Sequence, residues 1–408
     1  MPVPRTFPSL AVGVALLVSP VVVRAQTFTS GSTGADGAFS PAASVQLPIP
    51  PDGVFNFTTI SIPAGVTVSF AIRSGVRQPP ITWLATGNVV VAGRIDVSGR
   101  VGGAGGTGTQ LFGNGGVAGP GGFDGGAGSN GLDGVSGAAG LGPGGGLPGS
   151  ATAFPGHAGH LLAGPGVSGG HPYGDARLVP LIGGSGGGGG ASQLFGLTGG
   201  GGGGGGGALL IASSGTITVT GSIAATGGSG GASSGPGGGS GSGGAVRLVA
   251  TTLAGSASID VNGGPGASPG RIRVEAMTNG MTLTGGIAGG VTVGAPDVLA
   301  LSIVGLRIAA VAGVPVPMAP GGSYSAPDVI LPAGTTSPIT VVVEASQIPL
   351  GTTIAVTATP LSGTPVLAMS TPLAGTSSAA TATATLAIAT TQPSVISATA
   401  AFTLMGTP

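Results

Sequence analysis

The three histidines of this chain fall close together, at His157, His160 and His171, with Tyr173 and Asp175 just behind. Imidazole nitrogens with a carboxylate form the donor set of zinc and other borderline divalent ions, so these three are candidate metal ligands. Spacing supports this less than composition does. No HExxH pair is present to place two imidazoles on one helical face. The glycine around the histidines has no side chain to hold a ligand in position, and a polar loop accounts for the cluster better than a metal site does.

Other chemistries find little to build on. Residues 125–132 read GGAGSNGL, near the calcium-binding nonapeptide, with Asn130 where an aspartate belongs. Such sites form between tandem copies, and the chain has one. Cysteine is absent, which excludes thiolate catalysis and thiolate metal sites. Lysine is absent too, so the glycine runs are not phosphate-binding P-loops, and no helical period follows them as a dinucleotide loop requires. No cofactor and no nucleotide is implied.

Enzymes that cleave polysaccharides need paired carboxylates, or a base beside an acidic metal cluster. The acids here are scattered singly, and the nearest pair, Asp124 and Asp133, lies in loop. Asp96 and Asp260 hold equivalent places in two repeats, beside inward Ile95 and Ile259. In residues 271–275, RIRVE, Arg271, Arg273 and Glu275 share the face opposite Ile272 and Val274 and read as a solvated face with local ion pairs. Two threonine stretches, TITVT at 216–220 and TATAT at 381–385, resemble flat ice-binding faces. Threonine is also a good strand former on a solvent face, and only one repeat of the first half carries the pattern.

These residues hang on an unusual scaffold. Of the 106 residues from 102 to 207, 47 are glycine, ending in nine consecutive glycines at 199–207. Short β-branched stretches flank the segment on both sides. Phe55, Phe57, Thr59 and Ser61 are expected on one face, continued by Val66, Val68, Phe70 and Ile72 beyond a turn at 63–65. Residues 81–99 read ITWLATGNVVVAGRIDVSG: a strand, a small-residue corner and a second strand closed by Ser-Gly. The unit recurs at 207–228, 244–264 and 270–290. Units of about 20 residues that cannot bury a face alone imply stacking, and the shared corner points to a parallel β-helix interrupted by a glycine-rich insertion. The insertion is expected to be ordered. It carries apolar residues such as Leu111, Phe112, Phe123, Leu132, Phe154, Leu161, Leu162, Leu194 and Phe195 that could tuck beneath it. Its glycines could pack as side-by-side polyglycine strands with three residues per turn. From about 296 glycine falls away, and short strands separated by Pro/Gly turns (299–304, 339–345, 353–359, 380–388, 395–404) suggest an immunoglobulin-like β-sandwich.

The chain opens with Arg5, an apolar run at 10–23 and Val-Arg-Ala at 23–25, which reads as a signal peptide cleaved after Ala25. The run is short of the ~20 residues that span a bilayer, and no later segment reaches that length, so no membrane span is expected after signal removal. Beyond residue 25 there are 9 arginines against 11 acids, and charged residues are 5% of the whole chain. No basic stripe exists for nucleic acid. The expected division is a signal peptide (1–25), a β-helix-like unit with its insertion (26–295) and a sandwich (296–408).

The blocks 52–70, 81–99, 119–126, 181–190 and 202–223 resemble uncharacterised glycine-rich exported bacterial proteins, whose repeats are similar to the pectate-lyase-like right-handed parallel β-helix superfamily. The resemblance spans roughly residues 28–290. It implies architecture and export, and it carries no catalytic residues, because those relatives have no assigned activity. The expected function is an exported, non-catalytic structural or adhesive protein, secreted or on the cell surface, with extracellular polysaccharide or cell-surface components as partners. A carbohydrate-active β-helix enzyme, lyase or hydrolase, is the alternative, and an ice-binding solenoid the third.

Overall fold

The computed structural model describes residues 28–107, 112–130, 135–150, 154–165, 169–193, 197–284, 290–296, 305–317, 320, 322, 324, 327–346, 348–376 and 379–401. The signal peptide expected at 1–25, Asp133, Leu111, Leu132, Leu194, Phe195, Asp297 and the strand expected at 299–304 lie outside them. All regular structure among the described residues is β. No helix there is long and apolar enough to cross a membrane.

Two parallel sheets enclose one core. In the first, Gly37–Phe39, Val54–Ile62, Ile81–Ala85, Ala208–Val219, Ala245–Ala254, Arg271–Asn279 and Gly290–Gly294 are successive neighbours, and Val89–Val91 pairs with both Val54–Ile62 and Ala208–Val219. In the second the order is Val45–Leu47, Thr67–Phe70, Arg94–Asp96, Ser222–Ala224, Ser256–Asp260 and Thr282–Thr284. The chain alternates between the sheets, so equivalent residues of successive repeats stack. Val68, Ile95, Ile223 and Ile259 form one buried row, and Trp83, Ile211, Leu248 and Val274 form another, capped by half-buried Phe55. Burying an aliphatic side chain contributes about 1.5–3 kcal/mol, and these rows repeat that gain at every step.

One expectation needs correcting. Phe57 faces the core, but Thr59 and Ser61 face solvent, while Ile60 and Ile62 turn inward. The alternation slips because Val54–Ile62 rounds a corner: Phe57 pairs with Ala85, whereas Ile60 pairs with Val89 of the next strand. A period-2 reading run through the corner inverts every later side chain.

The glycine segment is a backbone lattice continuous with the sheets. Residues 97–103 leave the second sheet and residues 199–207 lead back into the first. The nine glycines donate in three-residue rotation. Gly199, Gly202 and Gly205 bond the carbonyls of Ser129, Gly126 and Phe123; Gly200, Gly203 and Gly206 those of Pro236, Gly239 and Ser242; Gly201, Gly204 and Gly207 those of Gly103, Arg100 and Val97. These nine bonds span 2.7 to 3.1 Å. Their carbonyls accept with the same period, from Gly113, Gly116 and Gly119, from Gly190, Gly187 and Gly184, and from Gly231 and Gly228. One extended strand is thus bonded to six neighbours, as three residues per turn and no internal hydrogen bonds permit.

Space, not conformation, demands glycine here. None of the nine has a left-handed φ, so an alanine could adopt the backbone. At Gly203, however, an added Cβ would press on the Gly228 carbonyl oxygen and lie 2.6 Å from its carbon and 2.7 Å from the Ser229 oxygen. The expected tucking of apolar side chains holds for Phe123, which is buried, but Phe154 (80% exposed) and Leu162 (59%) stand in solvent. A lattice with chains this close leaves no interior volume for them.

Residues 305–401 build two antiparallel sheets around a separate core. One orders Val314–Pro315, Gly305–Val311, Ile339–Ser346, Ala379–Leu386 and Ala374–Thr376, and the other Val366–Met369, Ile354–Pro360 and Ser394–Ala400. Val341, Val343, Ala382 and Leu386 of the first pack with Ile354 and Val356 of the second in one buried cluster.

Candidate functional site

The histidines are held apart by different jobs. His157 accepts a hydrogen bond at Nδ1 from the Ser240 amide, 3.0 Å away, which spends one of the two nitrogens a metal could use. His160 is buried and points Nδ1 at the Gly243 carbonyl oxygen, 2.7 Å away. A carbonyl only accepts, so Nδ1 carries the proton. The His160 ring stacks on Tyr173, with centroids 4.5 Å apart and planes 11° apart. The His160 pKa is lowered to about 4, chiefly by burial, with the Gly243 carbonyl pulling it up and the nearby Arg271 pulling it down. Burial likewise lowers that of His157. His171 is half-buried. Among the described residues no group of three His, Cys, Asp or Glu side chains is placed to hold a metal ion.

Tyr173 completes this pin between lattice and sheet. Its hydroxyl donates to the Gly183 carbonyl at 2.6 Å, burial raises its pKa, and its own carbonyl accepts from Arg271 Nη2 at 3.2 Å. Sequence reasoning placed Tyr173 and Asp175 beside the histidines; the structure joins Tyr173 to His160 and brings Arg271, a hundred residues on, to the same place.

The solvated charged face expected at Arg271, Arg273 and Glu275 is corrected. Glu275 is 1% exposed and accepts Arg247 Nη2 on both oxygens, at 3.1 and 3.0 Å, and Arg273 Nε on Oε1 at 2.8 Å. Arg247 and Glu275 lie two positions apart across neighbouring strands, because Arg247 pairs with Arg273 and Val249 with Glu275. Both carboxylate oxygens are thus taken up by guanidinium bonds, and Glu275 ties two strands together. Nothing in one repeat alone reveals this, since Arg247 belongs to the previous one.

Asp96 and Asp260 do occupy equivalent positions: both pair with Ala224, from opposite sides. Each carboxylate accepts the amide two residues on, Asp96 from Ser98 at 3.0 Å and Asp260 from Asn262 at 2.9 Å. Asp96 also meets Arg94 at 3.3 Å. These are turn-forming aspartates at strand ends. The threonines align further than one repeat suggests, since Thr216, Thr252 and Thr278 are in register. The adjoining row is Val90, Thr218 and Ala254, so the ladder is one residue wide.

Two cavities lined by described residues bear on the site. One, of about 110 Å³, is lined by Arg73, Arg77, Gln78, Phe123, Asp124 and Leu141 among others. Arg77 lies over the Phe123 ring, 4.4 Å from its centroid. Asp124 is fixed by two amides, Ala118 to Oδ1 at 2.7 Å and Gly75 to Oδ2 at 3.1 Å. The other, about 640 Å³, shares Arg77 and Phe123 and is otherwise lined largely by residues 306–398, such as Ile308, Val329 and Ile396. Each cavity holds a single carboxylate, Asp124 or Asp328. Sequence reasoning missed the first cavity, although two arginines four residues apart were a signal in so uncharged a chain. No known protein family, curated protein or solved structure matches this chain.

Proposed function

We propose that this protein is an exported structural or adhesive module without catalytic activity, displayed at the cell surface or released, and acting on extracellular polysaccharide or cell-surface components. In this reading the two parallel sheets are the walls of a β-helix solenoid and residues 296–408 form an immunoglobulin-like sandwich. The alternation of the chain between sheets, with residues in register from repeat to repeat, supports the first, and the shared core of two antiparallel sheets supports the second.

The observation that carries the functional reading is the polyglycine lattice, in which chemistry-bearing side chains are excluded by the chain spacing itself. Catalysis needs groups of tuned pKa converging in a pocket. Of the groups shifted from their ordinary pKa, His160 and Tyr173 are bonded to backbone, and neither they nor Asp96, His157, Arg271 or Tyr324 line the two cavities that hold Arg77. Asp96 and Asp260 are tied into turns, Glu275 is clamped, and neither cavity offers two acids. Stacked repeats and rigid backbone instead give a long surface suited to weak repeated contact with polymers. The test is incubation of the purified protein with pectic, chitinous and bacterial polysaccharides. Retention without any rise in reducing ends is expected. Turnover that vanishes on Asp96→Ala or Asp260→Ala would favour the carbohydrate-active enzyme.

A further inference from the structure

Beyond residue 25 the chain has nine arginines and no lysine, so each cation can be accounted for. Arg94, Arg247, Arg273 and Arg307 sit in ion pairs, Arg271 is drawn to Asp175, and Arg177 has a partner of its own. Among the described residues this leaves Arg73, Arg77 and Arg100 without a hydrogen bond or ion pair to their guanidiniums, although Arg77 is attracted through space by Tyr173 and Asp328. Two of those three line one cavity.

That cavity combines the features of a site for an acidic sugar unit. Arg73 and Arg77 are both exposed and supply two guanidiniums able to fork onto a carboxylate or sulfate. Asp124 has each oxygen already held by one backbone amide, which fixes it and leaves further lone pairs that accept sugar hydroxyls. Gln78 lines the cleft too, its side-chain amide nitrogen already donating to the Ala71 carbonyl at 3.1 Å and its side-chain oxygen available to accept. Val76, 59% exposed, and Leu141 provide apolar wall for the C–H face of a ring. Phe123 is buried beneath Arg77 and braces its guanidinium through the cation–π contact. The formal charge of the lining is +1, from two arginines and one aspartate. A bare phosphate site would not carry the aspartate; a ligand with an acid and hydroxyls uses all three.

We propose that this cleft binds an acidic saccharide unit of an extracellular polymer, its carboxylate or sulfate on Arg73 and Arg77 and its hydroxyls on Asp124. The proposal deepens the adhesive reading and rests on it. The volume of 110 Å³ admits only the acidic part of one unit, so affinity for a polymer would come from repeated weak contacts.

The test is binding of the full chain to immobilised alginate, dextran sulfate and neutral dextran at low and at 0.5 M salt, with Arg73→Gln/Arg77→Gln and Arg100→Gln variants. Alginate reports a carboxylate ligand and dextran sulfate a sulfate ligand. Binding to at least one acidic polymer and not to neutral dextran is expected. The double variant should lose about ten-fold or more, the scale of a charge-assisted hydrogen bond, while Arg100→Gln binds as the parent. Arg73 and Arg77 are exposed, so an unchanged melting curve should show the double variant folded. Equal loss in Arg100→Gln, no loss in the double variant, or no binding to either acidic polymer would overturn the cleft. Binding to neutral dextran alone would overturn the cleft and leave the adhesive reading standing; turnover of any polymer would overturn that reading itself.

Discussion

Replacing Gly203 with alanine is the sharpest perturbation of the lattice. Elsewhere Gly→Ala at an allowed φ stabilises by about 0.4–1 kcal/mol, because the unfolded chain loses freedom. At Gly203 the new methyl meets the Gly228 carbonyl and the Ser229 oxygen, all backbone and unable to swing aside. Overpacking a filled interior costs about 1–3 kcal/mol. Moving the Gly228 strand also strains the bonds from Gly228 to Gly204 and from Gly231 to Gly201, at about 1 kcal/mol each. Allowing for the unfolded-state gain, the net loss is about 2–5 kcal/mol, or ~4–20 °C in Tm for a unit of this size. Gly235 is the internal control. Its φ is not left-handed and the nearest atom to an added Cβ is Leu197 Cβ at 3.4 Å, so Gly235→Ala should be neutral or stabilising by up to about 1 kcal/mol. Differential scanning calorimetry of the two variants decides it. A Gly203→Ala protein melting with or above the parent would refute the claim that chain spacing dictates glycine.

Further predictions concern the buried polar groups and the division of the chain. His160 has a folded pKa near 4 against 6.5 unfolded, so the unfolded chain takes the proton first as pH falls. Stability should drop between about pH 6.5 and 4, by up to about 3 kcal/mol, and His160→Gln should flatten that slope in urea melts; an equal slope in both proteins would contradict it. Glu275→Gln should cost about 3–5 kcal/mol by leaving the charge of buried Arg247, and of half-buried Arg273, without its counter-charge, whereas Asp260→Ala should cost only about 1 kcal/mol; equal melting temperatures for the two would count against the clamp. Residues 296–408 expressed alone should give a soluble β protein that melts cooperatively, because the core there draws only on residues 306–400; an aggregated fragment would argue otherwise.

Much of the scaffold was legible because its physics is local and repetitive. The stacking of Ile95, Ile223 and Ile259 follows from a unit that recurs with the same corner, and the three-residue packing of 199–207 follows from what glycine lacks. What stayed hidden depends on partners brought from afar. The nine glycines bond to segments that lie between 10 and 110 residues away, an order no local pattern encodes. Glu275 looks like a solvated acid until the neighbouring repeat supplies Arg247. Arg73 and Arg77 make a cleft only when residues 118–124 fold back beside them. His160 illustrates the same limit: its residue type suggested a ligand, but its burial against Tyr173 and Gly243 made it a structural pin.

Amide hydrogen exchange through residues 199–207 tests the central claim most directly. Every one of these nine N–H groups is buried and bonded to another segment, so exchange should be slow across the whole run, at rates like those of Leu209 and Leu248 in the adjoining sheet. A flexible glycine linker would have few such bonds. Rapid, uniform exchange at these nine amides, with the sheet amides still protected, would contradict an ordered polyglycine lattice and the structural role built on it.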